Sequence, residues 1–246
     1  TGPCSVRLRP APPAEVAARL ASIRERIAPV GGRAKIEMTA LGDRASRITW
    51  QGATAGSQAP RTEEEARTRV IDVLTPVADV LGLESSELGS SARTPTRPGV
   101  RWEMVHERSR DPDLDLAPVR LGTGSIITRL DRHGRLLGVE VGPGLLPPLT
   151  LCDAVLDRAA IERAVVGVPL EWDSSDGRKS EATVKPGELR SFKRSAMITG
   201  ALEPAGGQVD VAVVYVVSVR RGRLPFTIRL AADTATVIDV DAEFFD

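Results

Sequence analysis

Two histidines are the first residues of this sequence that could take part in metal chemistry. His106 precedes Glu107 in "HERSR". A zinc-binding H-E-x-x-H helix needs a second histidine four residues after the first, so that both imidazoles reach one ion. That position holds Arg110, which cannot serve as the ligand. We therefore interpret His106 as a half-exposed strand residue, and His133, in the polar stretch "DRHGRL", as part of a turn.

A short acidic run, "DPDLDL", has the first three ligand spacings of a calcium loop, at Asp111, Asp113 and Asp115. The sixth position is Leu116 where such a loop needs glycine, and the twelfth is Gly122 where it needs glutamate. This pattern favours a solvated acidic loop over a calcium site. With no nucleophile elbow beside either histidine, we expect no catalytic residue, no cofactor and no metal, and hence no enzyme.

Cys4 and Cys152 are the two cysteines of the chain. They are too few and too far apart for a zinc-site spacing. They could form one disulfide that ties down the N-terminal arm, or remain as two free buried thiols. Cys4 could also be the lipidated cysteine of an exported lipoprotein, although Pro3 fits that signal poorly. All three alternatives remain open at the level of sequence.

Composition and charge argue against nucleic acid and a lipid bilayer as partners of this chain. Among 246 residues, 33 acidic side chains balance 33 basic ones, so no net field attracts nucleic acid. No apolar run approaches the ~20 residues that a transmembrane helix requires. The sequence starts at Thr1 without methionine, so a signal peptide removed upstream would not be visible. We expect an exported protein, whether secreted, periplasmic or lipid-anchored. We expect it not to bind nucleic acid and not to have a transmembrane segment.

Three helices are predicted from apolar residues at helical spacing. The first is "AEVAARLASIRERIA". The second is "TEEEARTRVIDVLTPVADVLGL", where Thr62 and Glu65 match a capping box and Leu74 falls on the buried face. Pro76 should end or kink that helix near Thr75. The third, "TLCDAVLDRAAIERAVVG", is predicted to start at the signals of Thr150 and Asp153.

Between the helices, alternating segments predict strands joined by short turns. One hairpin, "RLDRHGRLLGVEVG" at 129–142, has a looser copy, "RLAADTATVIDVDAE", from residue 229. Since the order is helix, strands, helix, strands, without crossover helices, the sheets should be antiparallel and the fold class α+β. The predicted architecture is two similar modules, each a helix packed on an antiparallel sheet.

The order of these segments resembles the propeptides of thermolysin- and fungalysin-type metalloproteases. "TEEEARTRVIDVLTPVADVLGLESSEL" looks like the helix and exit of their FTP domain. "GVRWEMVHE" and "LAPVRLGTGSIITRLDRHGRLLGVEVG" are similar to the strands that follow in that domain. "LTLCDAV" resembles the start of the next module, PepSY, and "LAADTATVI" its last hairpin. The resemblance implies an N-terminal arm and helix at 1–33, an FTP-like module at 34–146 and a PepSY-like module at 147–246, of cystatin-like or PepSY-like fold.

In that family the prosegment is a folding assistant and a temporary inhibitor, and the protease domain carries the zinc. The resemblance therefore implies a non-catalytic protein that binds a thermolysin-like zinc metalloprotease domain. The alternative is a stand-alone exported envelope binding protein that keeps the fold without a protease partner. At the end of the chain, "DAEFFD" places Phe244 and Phe245 after the last predicted strand. We expect them either to anchor this tail in an apolar pocket of the partner or to close the module's own core.

Overall fold

The computed structural model describes residues 2–52, 59–108, 111–173, 178–201 and 207–242. Within these ranges three α-helices occur, α1 Pro13–Ile27, α2 Glu63–Leu74 and α3 Arg158–Val165. The strands form two large antiparallel sheets and one separate hairpin. This arrangement confirms the predicted α+β class.

The first sheet has six strands in the order β2-β3-β7-β6-β5-β4, all antiparallel. Their bounds are β2 Arg33–Met38, β3 Ala45–Gln51, β4 Ser91–Arg93, β5 Val100–Arg108, β6 Gly124–Asp131 and β7 Leu136–Val141. The strands β4 to β7 follow one another as a meander. The hairpin β2–β3 joins this meander through pairing of β3 with β7.

The second sheet is built around one long strand, β11 Gln208–Arg221. β10 Leu189–Ala201 lies along one side of β11. Its other side is shared by β1 Ser5–Leu8 and β12 Leu224–Ala231, and β13 Val237–Ala242 completes the sheet beside β12. A separate hairpin, β8 Pro169–Asp173 and β9 Lys179–Thr183, lies next to β13.

Helix α2 starts and ends where the sequence predicts. The Thr62 side chain accepts a hydrogen bond from the Glu65 amide at 3.2 Å, which satisfies one free donor of the first turn. The helix ends at Leu74, and a 3-10 helix, Thr75–Leu81, continues the chain around Pro76. Leu74 is fully buried in the first core, as predicted. That core lies between the first sheet and the helices α1 and α2.

A second core lies on the inner face of the second sheet. It contains the odd-numbered valines of β11 and the buried face of α3. It also contains residues that precede α3 in the chain, among them Leu121 and Leu146. Helix α1 packs into the first core, whereas β1 joins the second sheet. The first 33 residues therefore contribute to both cores.

Helix α3 begins later than predicted. Asp157, not Thr150 or Asp153, is its N-cap residue and accepts a hydrogen bond from the Ala160 amide at 2.6 Å. The preceding segment is extended because it is bonded elsewhere: Leu149 pairs with Val119, and the Cys152 amide donates to Pro3 O at 3.2 Å. Contacts made by residues distant in sequence thus override the local helix signals.

The two hairpins that are similar in sequence also share a backbone irregularity. In β6–β7 the register shifts between Arg129 and Leu130, and in β12–β13 it shifts between Arg229 and Leu230. Both arginines form ion pairs with carboxylates of neighbouring strands. Each hairpin closes a four-stranded meander, β4–β7 or β10–β13. In the described part of the chain no helix is long and apolar enough to cross a membrane.

Candidate functional site

The two cysteines of the chain are bonded to each other. Cys4 and Cys152 form a disulfide across a sequence separation of 148 residues. The bond attaches the start of β1 to the extended segment before α3. Phe244 and Phe245 belong to residues 243–246, outside the described ranges.

The histidines are in separate places. His106 lies in β5 with its side chain 27% exposed, and its Nδ1 is 3.1 Å from Ser90 Oγ. His133 lies in the turn between β6 and β7, where its amide donates to Asp131 Oδ1 at 2.7 Å. The strand and turn positions are those expected from the sequence.

The acidic run packs beside β10. Lys193 Nζ is 3.6 Å from Asp111, and Arg194 Nη1 is 3.4 Å from Asp115. Leu114, between these aspartates, is buried in the second core. Among the residues described here, no group of three or more His, Cys, Asp or Glu side chains is arranged to hold a metal ion.

A buried ion pair joins the two cores. Arg108 Nη2 donates to Glu87 Oε1 at 2.7 Å, and less than a tenth of either side chain is exposed. Arg108 also donates to the carbonyls of Leu121 and Leu146, at 3.2 and 3.3 Å. Arg120 adds a second positive charge, 3.6 Å from Glu87. The arrangement fixes the segment between β5 and β6, through Leu121, and the segment that leads from β7 to α3, through Leu146.

The electrostatic environment keeps Glu87 ionised. Burial by itself raises the pKa of this carboxyl. Hydrogen bonds from the Glu84 amide and the Arg108 guanidinium, with the charges of Arg108 and Arg120, outweigh burial and lower the pKa below its ordinary value. Because the hydrogen bonds and the arginine charges at Glu87 favour the carboxylate, we interpret this cluster, which His106 Nε2 approaches to 4.0 Å, as structural and not as a general acid.

The candidate site is the outer edge of β10, which the acidic run 111–115 borders near Lys193 and Arg194. In an antiparallel strand, the N–H and C=O of successive residues point alternately to the two sides. The Val213 amide donates to Cys4 O at 2.8 Å, and the Val213 carbonyl accepts from the Ala232 amide at 3.1 Å. Odd-numbered residues of β11 therefore point toward β1 and β12. Its even-numbered residues must point toward β10.

The register then decides which groups of β10 are free. Val214 and Val216 of β11 lie opposite Ser195 and Lys193, so the odd-numbered residues of β10 bond to β11. The even-numbered residues direct their N–H and C=O groups to the other side. None of these groups has a hydrogen-bond partner among the residues that the structure describes. They belong to Phe192, Arg194, Ala196 and Ile198.

The other edge strands of the sheets are less suited to pairing with another chain. β4 has three residues, β2 has six with the charged Lys35 and Glu37, and β13 is flanked by the hairpin β8–β9. Short edge strands discourage pairing with another chain, and so do charged ones, a feature that β10 shares through Lys193 and Arg194. β10 has thirteen residues, and Ile198 near its end is 42% exposed. It is the longest edge strand of the described structure.

The sequence did not predict β10, because its alternation is interrupted by an arginine. Phe192, Ala196 and Ile198 share the inner face, but Arg194 lies between them. Its guanidinium is held by the structure, since Nη2 donates to Leu114 O at 2.9 Å and Cys152 O at 3.3 Å. Apolar residues two apart around a single arginine were the signal that could have identified this strand.

Comparison with known proteins gives no family. No family model matches the chain, and no curated protein matches it. Among solved structures the chain is similar to the Bacillus megaterium YpeB C-terminal domain, with 10% sequence identity over 96% of this chain and 100% of that chain. The TM-score is 0.27, so this similarity supports no argument about the fold or the function.

Proposed function

We propose that this chain is a non-catalytic, exported protein that binds a protein partner by accepting a strand at the outer edge of β10. The supporting observation is the row of backbone groups from Phe192 to Ile198 that have no hydrogen-bond partner among the described residues. An extended segment of a partner can pair with such a row, and main-chain hydrogen bonds then supply affinity. The disulfide fits an oxidising compartment outside the cytosol.

The partner that we propose is a thermolysin-like zinc metalloprotease domain, which this chain would help to fold and hold inactive. The support for this partner class is the sequence resemblance to FTP and PepSY propeptides. We also propose the corresponding division into an FTP-like module at 34–146 and a PepSY-like module at 147–246. The matching register shifts of the hairpins β6–β7 and β12–β13 support that division.

The surfaces beside the edge define what the incoming strand would contact. On the outer face of the sheet, Lys193, Ser195 and Met197 are its neighbours, and Lys193 is exposed. On the inner face, Ala196 and the exposed Ile198 are apolar. A partner strand with an apolar residue opposite Ile198 fits this pattern, because cross-strand pairs stabilise sheets. Lys193 already lies 3.6 Å from Asp111 of this chain.

The test is a pair of substitutions at Ala196, whose N–H points away from β11. Ala196→Pro removes that outward donor and leaves the pairing of β10 with β11 intact, as proline is tolerated at sheet edges. Ala196→Val is the matched control, since it adds similar bulk and keeps the N–H. We expect the wild type and Ala196→Val to inhibit a thermolysin-like protease, and Ala196→Pro to inhibit it at least tenfold more weakly.

Two results would contradict the proposal. Equal inhibition by both variants, at equal melting temperature, would show that the edge of β10 does not pair with the partner. No inhibition by the wild type would remove the protease as partner and favour a stand-alone envelope binding protein. If Ala196→Pro fails to fold, Ile198→Pro with its control Ile198→Val repeats the test at the exposed end of the strand.

The tail residues Phe244 and Phe245 are a second element of the proposal. We propose that one of them occupies an apolar pocket of the partner, as aromatic anchors do at interfaces. Inhibition by the full chain is compared with inhibition by a chain that ends at Ala242. Weaker inhibition by the shortened chain, with unchanged stability, is the expected result. Equal inhibition would show that the tail does not contact the partner.

A further inference from the structure

Three arginines converge in one shallow depression on the side of the first sheet. Arg61 precedes α2, Arg101 lies in β5, and Arg132 lies in the turn between β6 and β7. With Ala59 and Pro60 they line a depression of about 610 Å³. All three side chains are exposed. The sequence offered no reason to group them, since Arg61 and Arg101 are 40 positions apart and Arg101 and Arg132 are 31 positions apart.

A backbone irregularity accompanies Arg101. The register of β5 against β6 shifts between Val100 and Trp102, so Arg101 occupies a bulge. Bulges redirect side chains and are common beside functional sites. Arg101 Cζ lies 5.5 Å from the centre of the Trp102 ring, and Trp102 Nε1 donates to Pro60 O at 3.4 Å. The tryptophan thus links the positions of Arg101 and the Pro60 segment.

Acidic residues stand beside this depression but not in its described lining. The adjoining depression shares Ala59, Pro60 and Arg61 and is lined by Glu64, Glu65 and Asp72, and Glu65 accepts a hydrogen bond from the Arg61 amide at 2.6 Å. Among the described residues that line the depression of the three arginines none is acidic, and none of the three arginines is in an ion pair with a described carboxylate. Arg132 Nε donates to His133 Nε2 at 3.0 Å, which supplies no negative charge. Residues 53–58, which precede the Ala59 wall in the chain, contain no aspartate or glutamate. Many other arginines are paired with carboxylates, for example Arg47, Arg108 and Arg229.

We propose that Arg61, Arg101 and Arg132 form a binding site for a phosphoryl group. Three like charges in one depression repel each other, and a bound anion reverses that cost. One guanidinium already satisfies both oxygens of a carboxylate, whereas a phosphoryl group offers three oxygens and up to two charges. Three guanidinium forks therefore match a phosphoryl group better than a carboxylate. The group could belong to free phosphate or to a phospholipid headgroup.

The site is tested by titrating the full chain with inorganic phosphate while the arginine Nε–Hε signals are followed by nuclear magnetic resonance. A second arm measures binding to vesicles of anionic phospholipid, with phosphatidylcholine vesicles as the neutral reference. We expect Arg101→Gln and Arg132→Gln each to weaken binding about tenfold or more, since each removes a charge-assisted contact. Arg24→Gln, at an exposed arginine of α1, is the matched control and should bind as the wild type does.

The outcomes separate the sources and can overturn the site. Binding of phosphate alone indicates a small phosphorylated ligand, and binding of anionic vesicles indicates a headgroup. The proposal fails if neither probe binds, or if Arg101→Gln and Arg132→Gln bind as Arg24→Gln does. It also fails if acetate binds as tightly as phosphate, because the site would then be one for carboxylates. None of these outcomes depends on β10 or on a protease partner.

Discussion

Arg108 and Glu87 are paired at 2.7 Å between Nη2 and Oε1, in the space where the two cores meet. Leu88, next to Glu87, belongs to the first core, and the carbonyls of Leu121 and Leu146 that accept from Arg108 belong to residues of the second. The pair therefore connects the two sheets through charged groups that water scarcely reaches.

Replacing Arg108 with methionine should destabilise the protein strongly. Methionine fills similar space but leaves Glu87 buried without its main partner, and breaking a buried pair on one side costs about 3 to 5 kcal/mol. The control is Arg93→Met, which breaks the exposed pair with Glu107 and should cost less than about 1 kcal/mol. Urea unfolding measures both. Similar decreases in the free energy of unfolding for the two variants would show that the buried pair contributes no more to stability than the exposed pair.

Acid should weaken the fold through Glu87. Its folded pKa lies below the ordinary value of 4.5, so its ionised form stabilises the folded state fully above about pH 4.5. That contribution is lost as the pH falls through the lowered folded value. The free energy of unfolding of the wild type should therefore drop more steeply below pH 4.5 than that of Glu87→Gln, which cannot titrate. Parallel acid profiles would contradict this assignment.

The disulfide should hold β1 on the second sheet. Replacing Cys4 and Cys152 with serine frees a strand of four residues whose pairing with β11 is short, Ser5–Leu8. We expect a loss of about 2 to 5 kcal/mol, as for disulfides that close long loops. Hydrogen exchange should become faster at Val211 and Val213, whose amides point toward β1. Unchanged exchange there would mean that β1 stays in place without the bond.

Leu74 tests the first core. It is fully buried, so Leu74→Ala should cost about 2 to 5 kcal/mol through lost burial and the cavity that remains. Leu116→Ala provides the same change at a side chain that is 66% exposed, and it should alter stability little. Thermal melting distinguishes the two. A small effect at Leu74 would mean that α2 presents a different face to the sheet.

Local signals in the sequence predicted the parts of the fold that local chemistry controls. The capping residue Thr62, the end of α2 before Pro76 and the turn that contains His133 are all decided within a few residues of chain. The start of α3 was predicted wrongly at Thr150 and Asp153. That segment is held by the Cys4–Cys152 bond and by pairing with Val119, which the local sequence does not encode.

The candidate sites were harder to predict because their residues are polar. β10 pairs with β11 alone, and Arg194 interrupts its apolar alternation. Glu87 and Arg108 resemble ordinary surface charges in the sequence, and only the three-dimensional packing buries them together. The convergence of Arg61, Arg101 and Arg132 likewise depends on the sheet register and on a bulge in β5.

Hydrogen exchange along β10 tests the central claim most directly. In the free protein the amides of Arg194, Ala196 and Ile198 should exchange quickly, because they point outward, while those of Lys193 and Ser195 should be protected by β11. When a thermolysin-like protease domain is added, the outward amides should become protected to a similar degree. If they keep exchanging quickly in a complex that is demonstrably formed, strand addition at β10 is contradicted.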